Sequence, residues 1–236
     1  MKKSYLCAQM RTIAVILAGG TGQRVGGEKP KQLCRLSDGR TVLETCIDAF
    51  RRSPHVDEVM VVMHADWLTE VPSGVRAIAG GKERWESSWK AIEALSQEGE
   101  EMNVLLHDCA RPFVSERIIA DVCEALKEHQ AVTVAVPMTE TIYRVESRKT
   151  KDRCAQRQDV MVRSVPSRRE YMRAQTPQAF RLSLIKKAYE LALADEAGVQ
   201  ATDDCGIVNK YLPNEAIMVV EGEEANRKIT FKEDLR

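Results

Sequence analysis

The feature that most restricts the fold is a short apolar run near the start of the chain. Residues 12–17 read TIAVIL, too short for a helix and rich in β-branched side chains. A run without polar alternation is typical of a strand buried on both faces of a parallel sheet. Because a glycine-rich loop follows at once, over residues 18–24, we expect that loop at the carboxyl edge of an α/β sheet, where ligands bind.

Strand-like and helix-like patterns alternate along the rest of the chain. This alternation predicts an α/β domain with a Rossmann-like, mostly parallel sheet and helices on both faces. We treat residues 1–236 as a single domain. The remaining predicted elements are, in chain order, a helix over 41–52, strands over 59–63 and 77–79, a helix over 87–95, a strand over 103–107, a helix over 115–129, a strand over 131–136, a helix near 182–194, a strand over 216–220 and a short C-terminal helix.

Residues 141–165 interrupt this alternation. Thr141–Val145 and Val160–Val162 are strand-like, and a polar stretch separates them. Long excursions of this kind are usually functional or disordered. We interpret the segment as a protruding β-arm used for dimerisation, and a floppy surface hairpin is the alternative.

Composition excludes several classes of protein. Thirty-five basic residues balance thirty-five acidic ones, so no overall field draws the chain onto nucleic acid or an anionic membrane. The seven cysteines are scattered, without CxxC or zinc-type Cys/His spacing, which favours a reducing cytosol and no structural metal. Gln9 and Arg11 interrupt the first apolar stretch too early for an export signal. We therefore expect a cytoplasmic protein that binds neither nucleic acid nor membrane.

The glycine-rich loop is suited to phosphate. Its glycines let backbone amides approach a triphosphate without Cβ clashes. It is not a dinucleotide fingerprint, since Val25 stands where GxGxxG needs its last glycine, and it lacks the GK[ST] ending of a P-loop. Arg24 and Lys31 follow closely, and Pro30 restricts the backbone before the lysine. Two cations beside free amides can neutralise a transferring phosphoryl group; the alternative is a plain glycine turn with solvated lysines.

Two further charged residues follow the predicted strand over 103–107. Asp108 offers hard carboxylate oxygens for Mg²⁺, although a turn or N-cap role is its simpler alternative. Arg111 offers a bidentate fork for phosphate or substrate hydroxyls, and a surface ion pair is the alternative. Ser87 is predicted to begin a helix whose N-terminal amides face an anion.

Several of these segments together resemble one enzyme family. Residues 18–24 (AGGTGQR) with Pro30-Lys31-Gln32 resemble the nucleotide-binding loop of the 2-C-methyl-D-erythritol 4-phosphate cytidylyltransferases and of the related ribitol-5-phosphate cytidylyltransferases. Residues 80–87 (GGKERWES) resemble the family's cytidine-contacting loop, and residues 107–112 (HDCARP) resemble its HDAARP segment. The similarity covers essentially the full chain. It implies a fold of the nucleotide-diphospho-sugar transferase type.

The resemblance also implies an activity and a dimer. The activity is transfer of CMP from CTP to 2-C-methyl-D-erythritol 4-phosphate with release of pyrophosphate, for isoprenoid precursor synthesis, with Mg²⁺ as cofactor. Thr141 and Arg168, at the two ends of the arm, would reach the neighbouring subunit's site in a homodimer. The implied catalytic residues are Arg24, Lys31 and Lys228; the nucleotide-binding residues are Leu17, Ala18, Gly19, Gly20, Gly22, Gly81, Lys82, Ser87 and Cys109; the substrate-binding residues are Asp108, Arg111, Thr141, Arg168 and Thr176, with Asp108 also the metal ligand.

Two positions depart from the methylerythritol pattern. Lys82 stands where that branch usually carries an acid, and Ala225 stands where it has aspartate. Thr21, Arg111-Pro112-Phe113 and residues 171–178 and 202–205 resemble the ribitol-phosphate branch, which makes CDP-ribitol synthesis the alternative function.

Proteins of other classes share parts of the pattern. A dinucleotide-dependent oxidoreductase would need an intact GxGxxG motif. A non-catalytic CTP-binding regulator would not need Lys31, Asp108 and Lys228 together. Other sugar-nucleotide pyrophosphorylases share the fold and a similar loop, but the later segments favour cytidine.

Overall fold

The computed structural model describes residues 10–20, 30–149 and 158–235. Within these ranges lie nine strands, five α-helices and four 3-10 turns. The strands are β1 (Thr12–Ala18), β2 (Glu58–Met63), β3 (Arg76–Ala79), β4 (Asn103–Asp108), β5 (Ala131–Pro137), β6 (Arg144–Lys149), β7 (Gln158–Ser164), β8 (Met172–Arg181) and β9 (Ile217–Glu221). The helices are α1 (Val42–Arg51), α2 (Arg84–Ser96), α3 (Glu116–Ala125), α4 (Leu182–Leu193) and α5 (Asp204–Tyr211), and the 3-10 turns are Lys31–Leu33, Ala65–Glu70, Arg168–Glu170 and Lys232–Leu235.

Seven strands form one sheet in the order β3-β2-β1-β4-β8-β5-β9. Strands β1, β2, β3 and β4 pair in parallel, as do β5 and β9. Strand β8 runs antiparallel between β4 and β5. The predicted mostly parallel sheet is therefore confirmed, with one reversed strand near its middle.

Strand β1 shows why helices cover both faces. All seven of its residues are buried. Ile13 and Val15 pack into a core with α2, α4 and α5, whereas Ala14 and Ile16 pack into a second core with α1 and α3. Because successive side chains of a strand point to opposite faces, an unbroken apolar run needs a helix layer on each side, as the sequence predicted.

Helix boundaries follow capping side chains. Thr41 and Glu44 form a reciprocal capping box at the start of α1, and the Ser115 hydroxyl accepts from the backbone N–H of Ile118 at the start of α3. Helix α3 ends at Ala125, so the prediction of a helix reaching residue 129 was too long.

Strand β8 and helix α5 were not predicted. Strand β8 carries Gln175, Thr176, Pro177 and Gln178 in its middle, all of them buried, which conceals the usual apolar pattern. The proline lies where the pairing with β5 becomes irregular, between Val132 and Val134. Such an irregularity tolerates a residue that lacks a backbone N–H.

Strands β6 and β7 form a separate two-stranded antiparallel sheet, which we call the hairpin. Its first strand begins at Arg144, three residues later than predicted, and the predicted polar connection at residues 150–157 lies outside the described residues. Val145 faces Val162 across the pair, and both side chains are exposed. Among the described residues no helix is long and apolar enough to cross a membrane.

Candidate active site

A cleft of about 490 Å³ opens at the carboxyl ends of β1 and β4. Leu17 pairs with Asp108 in the β1–β4 register, and the backbone N–H of Cys109 donates to the Leu17 carbonyl at 3.1 Å. Adjacent parallel strands therefore present their ends to one cavity. The residues that line it are Leu17, Ala18, Gly19, Gly20, Lys31, Gln32, Gly81, Lys82, Glu83, Arg84, Ser87, Asp108, Cys109, Ala110, Lys228 and Thr230.

Most of the predicted nucleotide-binding positions thus lie on one cavity, together with Lys31, Lys228 and Asp108. Arg24 and Gly22 lie outside the described residues. The remaining predicted substrate positions, Arg111, Thr141, Arg168 and Thr176, are not among the lining residues.

Gln32 fixes the described part of the glycine-rich loop. This side chain is buried, and its amide nitrogen donates to the carbonyls of Ala18 at 2.5 Å and Gly20 at 2.9 Å. These two bonds hold the Ala18 and Gly20 carbonyls on the Gln32 side of the loop.

Ser87 lies between the glycine-rich loop and the loop after β3, since a Cβ on Gly19 would lie 3.2 Å from its hydroxyl oxygen. Its hydroxyl accepts from the backbone N–H of Gly81 at 3.1 Å, and a Cβ on Gly80 would lie 2.8 Å from it. A Cβ on Gly81 would lie 2.2 Å from the Cβ of Glu86, so only glycine fits there. Helix α2 begins at Arg84, not at Ser87. The prediction that Ser87 begins a helix was wrong, because Glu83 is the N-cap residue.

Asp108 is the charged centre of the cleft. Its Oδ1 accepts from Arg84 Nε at 3.0 Å and its Oδ2 from Lys228 Nζ at 2.6 Å. Burial alone would raise the pKa of this carboxyl, but the two cations outweigh burial and hold its pKa well below the ordinary range. The pKa of Arg84 is raised: burial opposes its charge, and Asp204 and Asp108 outweigh that effect. Both groups are therefore charged at neutral pH.

The C-terminal segment brings its cation to the cleft through its backbone. The buried Ile229 donates its backbone N–H to the Ala110 carbonyl at 2.7 Å. The Ile229 carbonyl in turn accepts from Lys31 Nζ at 2.9 Å. These bonds place Lys228 beside Lys31, although 198 residues separate Lys31 from Ile229 in the sequence.

A chain of hydrogen bonds sets the protonation of His107. Its Nε2 lies 2.9 Å from the Arg111 carbonyl, which can only accept, so Nε2 carries the proton. Nδ1 therefore accepts from the Thr176 hydroxyl at 3.0 Å, and that oxygen accepts from the Asp108 backbone N–H at 3.1 Å. Complete burial lowers the pKa of His107 to about 4. The ring is thus neutral and in a single tautomer beneath Asp108.

The other predicted substrate residues occupy different surroundings. Arg111 donates to the Asn226 carbonyl at 2.8 Å and the Ala174 carbonyl at 3.2 Å, and burial lowers its pKa. Thr141 and Arg168 are exposed, and Arg168 donates to the Thr139 carbonyl at 2.7 Å. That bond ties together the two chain segments that lead into and out of the hairpin.

Four side chains that organise the cleft were not predicted. Arg84 was included only as part of residues 80–87, which resemble the cytidine-contacting loop, and no ion pair was assigned to it. Asp204 was not considered. Gln175 accepts from Asn226 Nδ2 at 3.1 Å, and Gln178 accepts from the backbone N–H of Asp204 at 3.0 Å. The one available signal was the run of uncharged polar residues 175–178, since polar side chains between apolar segments are usually hydrogen-bonded when buried.

Comparison with known proteins adds independent findings. The 2-C-methyl-D-erythritol 4-phosphate cytidylyltransferase (IspD) family profile matches residues 12–236. The chain is 43% identical over 234 residues to the 2-C-methyl-D-erythritol 4-phosphate cytidylyltransferase of Thermobifida fusca, covering 95% of this chain and 90% of that protein. It is 36% identical to the bifunctional ribulose 5-phosphate reductase/CDP-ribitol pyrophosphorylase of Haemophilus influenzae, covering 95% of this chain but 47% of that protein.

A solved structure is similar over nearly its whole length. The 4-diphosphocytidyl-2C-methyl-D-erythritol synthase of Anaerococcus prevotii superposes with a TM-score of 0.76 at 31% identity, over 96% of this chain and 93% of that one.

The fold, the cleft and these likenesses define a CTP-dependent nucleotidyltransferase. More narrowly, the chain belongs to the 2-C-methyl-D-erythritol 4-phosphate cytidylyltransferase family. The family resemblance and the fold class drawn from the sequence are confirmed.

Proposed function

We propose that this chain transfers CMP from CTP to 2-C-methyl-D-erythritol 4-phosphate and releases pyrophosphate. The observation that carries the proposal is the cleft at the ends of β1 and β4, which collects glycine-rich backbone, Lys31, Lys228 and Asp108 around about 490 Å³. Family membership and the 43% identical Thermobifida relative support the same activity.

The nucleotide would lie against two neighbouring glycine-containing segments of the cleft. Leu17, Ala18, Gly19 and Gly20 offer backbone on one side, with Gly22 following them in sequence. The segment after β3 adds Gly81, Lys82 and Ser87, and the end of β4 adds Cys109. Glycine allows close approach of a base or phosphate on both sides, so recognition would depend largely on backbone groups that Gln32 and Ser87 hold in place.

The transfer itself needs positive charge more than covalent chemistry. The phosphate oxygen of the acceptor would attack the α-phosphorus of CTP, a new P–O bond would form, and the bond to the β-phosphate oxygen would break with loss of pyrophosphate. Lys31 and Lys228 would stabilise the negative charge that grows on the phosphoryl oxygens. Arg24 is proposed as the third cation of this step.

A single carboxylate suits Mg²⁺ here. Within the described residues no three His, Cys, Asp or Glu side chains converge on one point. Mg²⁺ is commonly held by one or two carboxylates together with substrate phosphates, and Asp108 is a charged carboxylate on the cleft wall. Asp108 would hold the ion, which would neutralise charge on the triphosphate when bound. Both oxygens of Asp108 already accept from cations, so Oδ2 would hold the ion only after the partly exposed Lys228 has moved away. With that movement the donor set fits the proposed cofactor.

The acceptor phosphate would contact residues beyond the cleft wall. We assign five residues to binding of this acceptor: Asp108, Arg111, Thr141, Arg168 and Thr176. Thr141 and Arg168, which flank the hairpin, would contact the acceptor in the neighbouring subunit's site. The exposed valines of the hairpin support a homodimer, since isolated exposed apolar faces mark interaction surfaces. Thr176 would act through the Asp108 backbone N–H, because its hydroxyl is already shared with His107.

The test is an assay with two acceptors. Purified protein, CTP and Mg²⁺ are incubated with 2-C-methyl-D-erythritol 4-phosphate or with ribitol 5-phosphate, and pyrophosphate release is followed. We expect a kcat/KM at least about tenfold higher with the methylerythritol acceptor, a difference of about 1.4 kcal/mol. A preference for ribitol 5-phosphate would assign the chain to CDP-ribitol synthesis instead, and no release with either would refute the proposal.

A further inference from the structure

Asp204 is a buried carboxylate that the proposed reaction does not use. It is the first residue of α5, has no exposed surface and does not line the cleft. Its Oδ2 accepts from Arg84 Nη1 at 2.7 Å, and its Oδ1 accepts from the Tyr189 hydroxyl at 2.6 Å. Its backbone N–H donates to Gln178 at 3.0 Å. Helices α2 and α4 thus hold the carboxylate of Asp204, and strand β8 holds its backbone N–H.

Arg84 connects that carboxylate to the cleft. One guanidinium group reaches Asp204 through Nη1 and Asp108 through Nε, at 2.7 and 3.0 Å. A guanidinium is planar and rigid, so two carboxylates on different nitrogens fix both its position and its plane. Arg84 itself lines the cleft. The orientation of a cleft-lining cation is therefore set by a residue outside the cleft.

The two oxygens of Asp108 are held unequally. The cation on Oδ1, Arg84, has a second anchor in Asp204. The cation on Oδ2, Lys228, has a side chain that is 41% exposed, whereas the Arg84 side chain is 27% exposed. A long, exposed side chain loses little free energy when it leaves an ion pair. Substrate binding can therefore displace Lys228 from Oδ2 while Arg84 keeps the carboxylate in place through Oδ1.

Stability alone does not account for this arrangement. Taking charges out of water costs several kcal/mol per ion, so a buried ion pair contributes little net stability compared with apolar packing. Tyr189 stays a hydrogen-bond donor, because burial raises the pKa of its hydroxyl well above the usual value. Asp204 therefore accepts from two donors that keep their protons, Tyr189 and Arg84.

We infer that Asp204 and Tyr189 are positioning residues that hold the Arg84 guanidinium, so that Arg84 keeps Asp108 oriented toward the substrates while Lys228 is released. The inference rests on the proposed function. It assigns to Asp204 an effect on the chemical step and not on nucleotide affinity, since the backbone groups at 17–20 and 81 that would bind the nucleotide make no contact with it.

The test compares single and double variants in the pyrophosphate-release assay. Asp204→Asn keeps the shape and removes the charge that holds Arg84. We expect kcat to fall about 10- to 100-fold, the usual effect of losing a partner behind an active-site group, and KM for CTP to change less than about threefold. Tyr189→Phe should lower kcat about three- to tenfold. In an Arg84→Met background Asp204→Asn should cause no further loss, because Asp204 acts through Arg84.

Asp195→Asn is the matched control. It makes the same change at a carboxylate that accepts from Lys210 and Tyr211 of α5 at 3.1 and 2.7 Å, and not from Arg84. We expect it to lower the melting temperature but to leave kcat within about twofold. An equal loss of kcat in Asp195→Asn, or multiplied losses in the Arg84→Met double variant, would overturn the inference.

Two further outcomes are decisive. Should Asp204→Asn not fold, Tyr189→Phe carries the test, and an unchanged kcat in that variant overturns the inference. If the wild-type protein releases pyrophosphate and Asp204→Asn has the same kcat, only the positioning role is refuted. A wild-type protein that releases none contradicts the proposed function itself.

Discussion

The cleft and the hairpin satisfy their side chains in opposite ways. In the cleft, the carboxylate of Asp108, the ring of His107 and the hydroxyl of Thr176 all find partners within the chain. In the hairpin, Val145, Val160 and Val162 are 52%, 60% and 56% exposed. These three share one face, since Val145 pairs with Val162 and residues two apart in a strand point the same way.

The cleft side chains are satisfied by partners within one chain, whereas the hairpin valines have an exposed face that a second protein can cover. The cleft is organised before any substrate arrives, because its charges and tautomers are already fixed. The hairpin has an apolar face that strand pairing leaves exposed to water. Exposed apolar faces of this kind are typical of protein–protein contact surfaces. Substitutions in the cleft should therefore change chemistry, and substitutions in the hairpin should change association.

Removing Lys31 gives the largest expected effect on the cleft side of this comparison. Lys31→Ala removes one cation from the reacting phosphoryl group, so we expect kcat to fall about 10²- to 10³-fold, or about 3–4 kcal/mol. Steady-state pyrophosphate release measures it, and circular dichroism should show an intact fold. Lys186→Ala on α4, whose partner is Glu190 on the same helix, is the control. Wild-type turnover in Lys31→Ala would contradict the catalytic assignment.

Acid should lower the stability of the fold through protonation of His107 beside the cleft. Its pKa is about 4 in the fold against an ordinary 6.5, so between these values the unfolded chain binds more protons. Stability is then complete above about pH 6.5 and decreases as the pH falls toward 4, by about 3 kcal/mol in total. Urea unfolding between pH 7 and 4.5 measures this slope. His107→Gln should flatten it and His64→Gln, on the surface, should not; equal slopes in both variants would contradict the assignment.

The hairpin can be tested without breaking its strand pairing. Val145→Lys with Val162→Glu replaces an apolar cross-strand pair by an ion pair, which keeps the hairpin but removes two of the three valines of its apolar face. Val145 and Val162 are already about half buried in the hairpin, so each would lose about 0.75 kcal/mol, half of the value for full burial. A symmetric dimer would lose four such valines, about 3 kcal/mol in total, so the dissociation constant of the proposed dimer should rise about 100-fold. Sedimentation velocity over a dilution series measures it. Leu193→Lys, at an exposed site on α4, is the control, and a wild-type monomer at all concentrations would contradict the dimer.

The smallest effect is expected for a charge on the hairpin. Arg163 donates to Glu146 at 2.7 Å, with 62% of the arginine side chain exposed. Exposed ion pairs contribute about 0–1 kcal/mol, so Arg163→Gln should change the free energy of unfolding by less than about 0.5 kcal/mol. Thermal unfolding at low and high salt measures it. A loss of several kcal/mol would mean that the hairpin, like the cleft, is organised by its own charges.

The fold was largely predictable in segments where apolar side chains set a clear strand or helix pattern. The apolar runs gave β1, β2, β4 and β5 to within two residues, and the helical spacing of residues 41–52 gave α1. These elements are specified by burial, which periodicity reports directly. The family resemblance then carried the activity, which no element pattern contains.

The parts that escaped prediction depend on contacts distant in sequence. Strand β8 conceals its strand pattern behind buried glutamines and a proline, which burial and pairing with β4 and β5 accommodate. Asp204 lies 120 residues from the arginine that it holds. A local window contains neither the burial nor the partner, so no spacing rule identifies such a residue.

Strand β8 has a practical consequence for redesign. Three of its buried residues each tie down a different segment: Gln175 the loop before Asn226, Thr176 the end of β4, and Gln178 the start of α5. Anyone who wishes to alter acceptor preference should leave this strand untouched and diversify Thr141 and Arg168, the exposed positions proposed to contact the acceptor, instead. A library spread over residues 175–178 would misalign three segments at once and return few working clones.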